Sequence, residues 1–285
     1  MIKLALSDMD NTLVPFGRGQ VNGRTIDAIR AAQDQGVVFG PTTGRDYGEL
    51  SSFFGGVEEC FKTGVLCNGQ KVLINGEVKK QIFLDAEALR RVEKMVLETP
   101  GTAMVVYRPD NFGDWVGASR DELGYMYERA FMVGGEWHQS LPEYPVIKAG
   151  IIHMGTEEQC LAFQGRLAAA VTEFDYAHTV EKWLDITPHG WSKVDGIKYL
   201  AQELGVTMDE VCVFGDADND LSMLLWVPNS CSVSNANANA TACAGFRIPA
   251  SADDGVAWAL EQIADAAQIS RLTGQDVMPR FMRTA

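Results

Sequence analysis

The chain is short of positive charge, with 24 Lys and Arg against 38 Asp and Glu and a formal net charge of -14 over 285 residues. The basic residues do not cluster, which excludes a nucleic acid partner, whose phosphates call for arrays of Lys and Arg. Small anions are not excluded, because a metal and backbone amides can hold them. No apolar run approaches the roughly 20 residues of a membrane span. The sequence passes from Lys3 straight to an acidic motif, without the charged leader and long apolar segment of a secretion signal. These absences predict a cytoplasmic protein with no membrane partner. The six cysteines (Cys60, Cys67, Cys160, Cys212, Cys231 and Cys243) form no Cys-x-x-Cys pair, which argues against a zinc or redox motif. Their mostly apolar surroundings predict free buried thiols in a reducing compartment. Internal repeats and low-complexity tracts are missing too. The brief alternation Asn235-Ala236-Asn237-Ala238-Asn239-Ala240 reads as a polar loop leading into a short helix.

What remains is an ordinary globular composition, 46% apolar and 22% charged, long enough for two domains or for one core carrying a large insertion. Lys3 to Ser7 predicts a strand. A helix follows from Asn22, a plausible N-cap, with Gly36 as its stop, and then a strand over Val37 to Gly40 and another helix. Strand alternating with helix predicts an α/β fold, a Rossmann-like parallel sheet with helices on its faces. The middle of the chain reads differently. Lys71 to Ile74, Asn75-Gly76, and Gln81 to Leu84 predict a hairpin. Helices over 85–98 and 156–171 then alternate with strands over 102–107, 146–153 and 173–177. This predicts an α+β module inserted at residues 83–185, with the core formed by 1–82 and 186–285. From Trp191 the first pattern resumes, with a helix to Leu204 and a strand over Val211 to Phe214.

The chemistry lies where the predicted strands end. Asp8-Met9-Asp10 places two carboxylates on one side of an extended segment, and charges that close require a cation or a shared proton. A second acidic run, Gly215-Asp216-Ala217-Asp218-Asn219-Asp220, ends the strand at Phe214. Five carboxylates without histidine or paired cysteine suit Mg²⁺ rather than zinc. A calcium loop is ruled out, because Leu221 and Val227 stand where its Gly and Glu would be. Thr42, Thr43 and the amides around Gly44, at another strand end, could hold phosphate oxygens, and Lys193 could add a fixed positive charge. A carboxylate nucleophile beside Mg²⁺ could then form and hydrolyse an aspartyl-phosphate.

Asp8-Met9-Asp10-Asn11-Thr12-Leu13, Thr42-Thr43-Gly44-Arg45, Lys193 and Gly215 to Asp220 occur in the order of the four motifs of the haloacid dehalogenase-like phosphatases, and the chain resembles that superfamily. The insertion between the second and third motifs resembles the Cof-type subfamily with its large α+β cap. Cys67-Asn68-Gly69 and Asp253-Asp254-Gly255-Val256-Ala257 add to the likeness. The resemblance implies Asp8 as nucleophile and Asp10 as general acid and base. Thr43, Gly44, Lys193 and Asn219 would contact phosphate, with Asn219 alternatively orienting Lys193. Mg²⁺ would be bound by Asp8, the backbone carbonyl of Asp10, and Asp216, with Asp220 in support. Asp218 falls at a variable position.

The chain departs from the family pattern at Asn11 and Val194, where glycine is usual, and at Ala217, where Gly or Ser is usual. Asn11 tolerates left-handed backbone well. The expected activity is hydrolysis of a small phosphate ester, with a sugar phosphate as the leading class. A phosphomannomutase-like phosphoryl transferase and a non-catalytic binding protein of the same fold are the alternatives. Cap residues that could meet a leaving group include Arg108, Asp110, Asn111, His138, Lys148 and His153, with Trp115 and Trp137 as possible sugar-lining rings and His189 near the cleft. Each has a structural or surface role as its simpler explanation. The segment 271–285 is read as a tail that packs on the core or on a partner, or frays; the sequence gives no oligomeric state.

Overall fold

The structure, a computed structural model, describes residues 1–108, 112–129 and 135–283. The chain forms two units, Met1–Gln81 with Ser192–Ala285, and Ile82–Trp191. The first unit begins with β1 (Leu4–Ser7), α1 (Gly23–Asp34), β2 (Val38–Pro41), α2 (Tyr47–Phe53), β3 (Gly64–Leu66), β4 (Lys71–Ile74) and β5 (Glu77–Gln81). The second contains α3 (Ala86–Leu97), β6 (Thr102–Tyr107), β7 (Gly113–Gly117), α4 (Arg120–Leu123), α5 (Tyr125–Arg129), β8 (Gly135–Trp137), β9 (Ala149–His153), α6 (Glu157–Ala170), β10 (Phe174–Val180) and β11 (Trp183–Pro188). The first unit then resumes with α7 (Lys193–Glu203), β12 (Val211–Gly215), α8 (Leu221–Trp226), β13 (Asn229–Val233), α9 (Ala238–Cys243), β14 (Phe246–Ile248) and α10 (Gly255–Thr273).

In the first unit a parallel five-stranded sheet has the order β14-β13-β12-β1-β2. β1, β12 and β13 are buried along their whole length, as expected of a parallel sheet covered on both faces. Leu4, Leu6, Val211 and Val213 pack with Val194, Ile197 and Leu200 of α7. The Asn22 side chain accepts from Thr25 N at 2.9 Å to cap α1, which buries Ile26, Ile29 and Ala32. The expected hairpin exists, but its second strand is β5 rather than Gln81 to Leu84. The Asn75-Gly76 turn joins the strands directly, so pairing starts at Glu77 opposite Ile74. β5 has no apolar alternation because most of it faces water.

The second unit has a six-stranded sheet, β10-β11-β9-β6-β7-β8, antiparallel except between β7 and β8. Leu89, Val92 and Val96 of α3 and Phe163 and Leu167 of α6 pack with Met104, Val106 and Ile151. Leu123, Met126 and Tyr127 of α4 and α5 belong to a separate cluster with Val105, Trp115, Ile152 and Trp183. The unit ends at Trp191 rather than 185, because β11 pairs with both β10 and β9.

The tail after α10 is anchored by Phe281, whose ring lies 5.6 Å from Trp258 and 6.3 Å from Phe246. All six cysteines are free, and all but Cys243 are buried. Among the described residues no helix is long and apolar enough to cross a membrane.

Candidate active site

The site is assembled at the carboxyl ends of adjacent parallel strands, where ligands bind in open α/β sheets. Asp8 follows β1 and donates its backbone N–H to Phe214 O at 2.9 Å, which holds it alongside the end of β12. Asp216 follows β12, and Asp220 lies one short helical turn further on. All three carboxylates are buried and offer oxygens within 4.8 Å of one another. Gly215 makes the return possible: a Cβ there would sit 2.8 Å from the Asp220 carboxyl group. Asp220 Oδ2 accepts from Asp216 N at 2.9 Å and Ala217 N at 3.2 Å, which fixes the turn.

Lys193, at the start of α7, is 1% exposed. Its Nζ donates to Asp8 Oδ1 at 2.5 Å and to Asp220 Oδ1 at 2.7 Å. The helix start is fixed by Asp195 Oδ2, which accepts from the N–H and the hydroxyl of Ser192 at 2.9 Å each. Gly196 brings α7 close to β3: a Cβ there would lie 2.5 Å from Val65 Cγ1 and 2.9 Å from Gly69 Cα.

Burial and the neighbouring Asp220 charge push the Asp8 carboxyl well above its usual range, with Lys193 pulling the other way. Asp216 is also raised by burial, opposed by hydrogen bonds from Thr12 and Asn11. Burial alone disfavours the Lys193 cation, but Asp220 and Asp8 outweigh it and keep the ammonium charged. Three buried carboxylates against one ammonium leave excess negative charge. The hard oxygen donors, their closeness and this excess fit a divalent cation held by Asp8, Asp216 and Asp220.

Asp216 is aimed by two side chains, Thr12 Oγ1 donating to Oδ1 at 2.7 Å and Asn11 Nδ2 to Oδ2 at 3.0 Å. Asn11 has φ 62°, the left-handed conformation expected for it. The Asp10 carboxylate stands outside the buried cluster. It accepts a fork from Arg45, Nε to Oδ2 at 2.9 Å and Nη2 to Oδ1 at 2.8 Å. Arg45 also reaches Glu49 at 3.4 Å and stacks 4.3 Å from the Phe53 ring centre. Thr43 is buried at the end of β2, and its hydroxyl accepts from Arg45 N at 3.2 Å. A Cβ on Gly44 would lie 3.2 Å from the Asn68 amide, so the 42–45 loop and the 67–69 turn approach closely. Asn219 is exposed; the carboxylate that holds Lys193 is Asp220 instead. Asp218 is exposed and accepts from Asn237 and Asn239 at 3.1 and 3.0 Å.

The forks and clamps on Asp10 and Asp216 were not visible in the sequence. The only signals were Arg45 beside the Thr43-Gly44 pair and Asn11 in a glycine position.

Within the second unit, His138 Nε2 and Tyr144 Oη meet the buried Asp114 carboxylate at 2.9 and 2.7 Å, with Arg108 3.7 Å away. Lys148 lies 4.4 Å from the Tyr107 ring centre. His153 is buried against Phe163, Trp115 stacks on Trp137, and exposed His189 pairs with Asp175 at 2.8 Å. Asp110 and Asn111 lie outside the described residues.

A parallel sheet whose strand ends gather an acidic triad around a buried lysine has the charge and the hard oxygen donors that phosphoryl transfer calls for. Residues 5–260 match the model of the haloacid dehalogenase-like hydrolases, and the chain belongs to that family, in its Cof-type branch. It is a phosphatase. The 5-amino-6-(5-phospho-D-ribitylamino)uracil phosphatase YbjI of Escherichia coli is 24% identical over 277 residues, covering 92% of this chain and 96% of its own. The fold is similar to BT1666 of Bacteroides thetaiotaomicron, described among phosphatases of the superfamily, with TM-score 0.79 and 18% identity over 92% of this chain and 95% of that one. It is also similar to BT4131, a subclass IIB sugar phosphatase, with TM-score 0.76 and 19% identity over 91% and 98%.

Proposed function

We propose that the chain is a Mg²⁺-dependent phosphomonoesterase acting on a small phosphorylated metabolite, with a sugar phosphate as the leading class. The observation that carries this reading is the Lys193 ammonium between Asp8 and Asp220, beside Asp216. Asp8 attacks phosphorus, the ester P–O bond breaks, and Asp10 gives its proton to the leaving alcohol oxygen. Asp10 then takes a proton from the water that cleaves the aspartyl-phosphate, releasing inorganic phosphate. Lys193 and the Thr43 and Gly44 loop hold phosphoryl oxygens, and Asn219 lies on the exposed side of the acidic turn, available to a phosphate oxygen. Asp8, Asp216 and the Asp10 carbonyl would hold Mg²⁺, supported by Asp220. The bound ion would supply positive charge that keeps Asp8 ionised and offsets charge on the transferring group.

The second unit sets substrate choice in this reading, with Arg108, His138 and Lys148 as candidates. His153 is the weakest candidate, being packed inside. The sugar-phosphate class is supported by the likeness to BT4131, a sugar phosphatase, and a small phosphorylated metabolite more generally by the likeness to YbjI, a 5-amino-6-(5-phospho-D-ribitylamino)uracil phosphatase. The test is phosphate release from sugar phosphates, nucleotides and cofactor phosphates, with and without Mg²⁺, by the native protein and Asp8→Asn. Mg²⁺-dependent turnover lost in Asp8→Asn is expected. Turnover that survives the substitution would overturn the aspartyl-phosphate route.

A further inference from the structure

The family pattern places glycine where this chain has Asn11, and the alternating asparagines after β13 have no catalytic task. The two features meet. Asn235 Nδ2 donates to the backbone carbonyl of Asn11 at 2.9 Å, while Asn235 Oδ1 accepts from Ser251 N at 2.8 Å. Asn11, held at φ 62°, turns its own side chain onto Asp216 Oδ2 at 3.0 Å. Asn237 closes the circuit from the other side: its backbone N–H donates to Asp216 O at 2.9 Å, and its side chain reaches Asp218 at 3.1 Å. Asn239 donates to Asp218 as well, at 3.0 Å. Ala240 is buried in the apolar core and Ala236 packs against it, while Ala238 is exposed, as are the three asparagines.

We infer that Asn11 and Asn235 form a positioning relay that fixes the Asp216 carboxylate for cation binding, anchored at the 251 turn. A glycine at position 11 could adopt the same backbone but would leave Asp216 Oδ2 without this donor. Both residues are too far along the chain from each other to be tied by local structure, and the contacts run through the carboxylate and the peptide that bound the site. The inference rests on the metal reading given above.

The test uses the metal-free full chain, titrated calorimetrically with Mg²⁺ and melted separately, for native protein, Asn11→Gly and Asn235→Asp. Asn11→Gly keeps the left-handed turn, since glycine adopts positive φ freely. Asn235→Asp keeps the acceptor for Ser251 and loses the donor to Asn11. Partners that orient metal ligands typically change affinity 10–100-fold, and each variant is expected to bind Mg²⁺ about tenfold more weakly with an unchanged metal-free melting temperature. Native-like affinity in both variants would overturn the relay alone. So would weaker binding that only tracks a lowered melting temperature, which is the mark of a general structural role. Absence of Mg²⁺ binding by the native protein would overturn the metal reading itself, and the relay with it.

Discussion

Single side chains at this site carry charge that the fold cannot dilute. Lys193 is 1% exposed between Asp8 and Asp220. Removing one partner of a buried ion pair typically costs about 3–5 kcal/mol, because the remaining charge is left unpaired. Lys193→Ala should therefore lower stability by about that amount in urea denaturation, and should abolish phosphate release. Arg45 acts differently. Its fork on Asp10 lies at the site edge, where Asp10 is 61% exposed. Arg45→Gln should therefore leave the fold intact and lower kcat for phosphate-ester hydrolysis about tenfold or more, in the range that misplacing a catalytic group produces; an unchanged kcat would detach Arg45 from the chemistry. The acidic residues themselves were legible in sequence, because each ends an apolar run. Their partners were not, since Arg45 and Asp10 lie 35 positions apart and Asn11 and Asp216 lie 205 apart.

At the scale of elements, the helix that carries Lys193 depends on a glycine. Gly196 lets α7 settle against Val65 and the backbone at Gly69. Gly196→Ala places a methyl against atoms that cannot withdraw, and overpacking of this kind costs about 1–3 kcal/mol. Thermal melting should show that loss, and kcat should fall with it as the helix carrying Lys193 moves away. β1 and β12 were readable as strands because buried parallel strands are continuously apolar. β13, Asn229-Ser230-Cys231-Ser232-Val233, was not, although it is equally buried. Two of its polar side chains have tertiary partners: Asn229 Nδ2 donates to Asp209 O and Val211 O, and Ser230 Oγ accepts from Gly245 N. No local pattern announces such bonds. β5 was misplaced for the complementary reason, being a strand whose side chains face water.

At the scale of the whole molecule, buried groups in the two units, Asp8 and Asp216 in the first and His153 in the second, respond to pH in opposite senses. In the first, Asp8 and Asp216 have raised pKa values in the folded metal-free protein. Their stabilising contribution is complete below the ordinary carboxylate range and is lost as pH rises through the raised values. A cation bound there reverses the loss, so the rise in melting temperature on adding Mg²⁺ should be larger at pH 8 than at pH 5. In the second, burial lowers His153 below its ordinary value of 6.5. Its contribution is complete above that value and is lost as pH falls toward the depressed one. Amide protection in β9 and α6, taken relative to the intrinsic exchange rate at each pH, should therefore fall below about pH 6.5, and His153→Phe should remove that dependence.

The insertion has a consequence for how the protein is made. β1 lies beside β12, with Leu4 opposite Val211, so the first strand of the main sheet must wait for a neighbour synthesised about 200 residues later. At roughly 5–20 residues per second on the ribosome, that wait lasts on the order of 10–40 seconds. During it the second unit, whose strands all come from one continuous stretch, has every pairing partner it needs. Two of the five strands of the main sheet, β1 and β2, are held open over the same interval, apolar and with the β1 edge unpaired, and the nascent chain is then a client for whatever shields exposed strands at the exit tunnel.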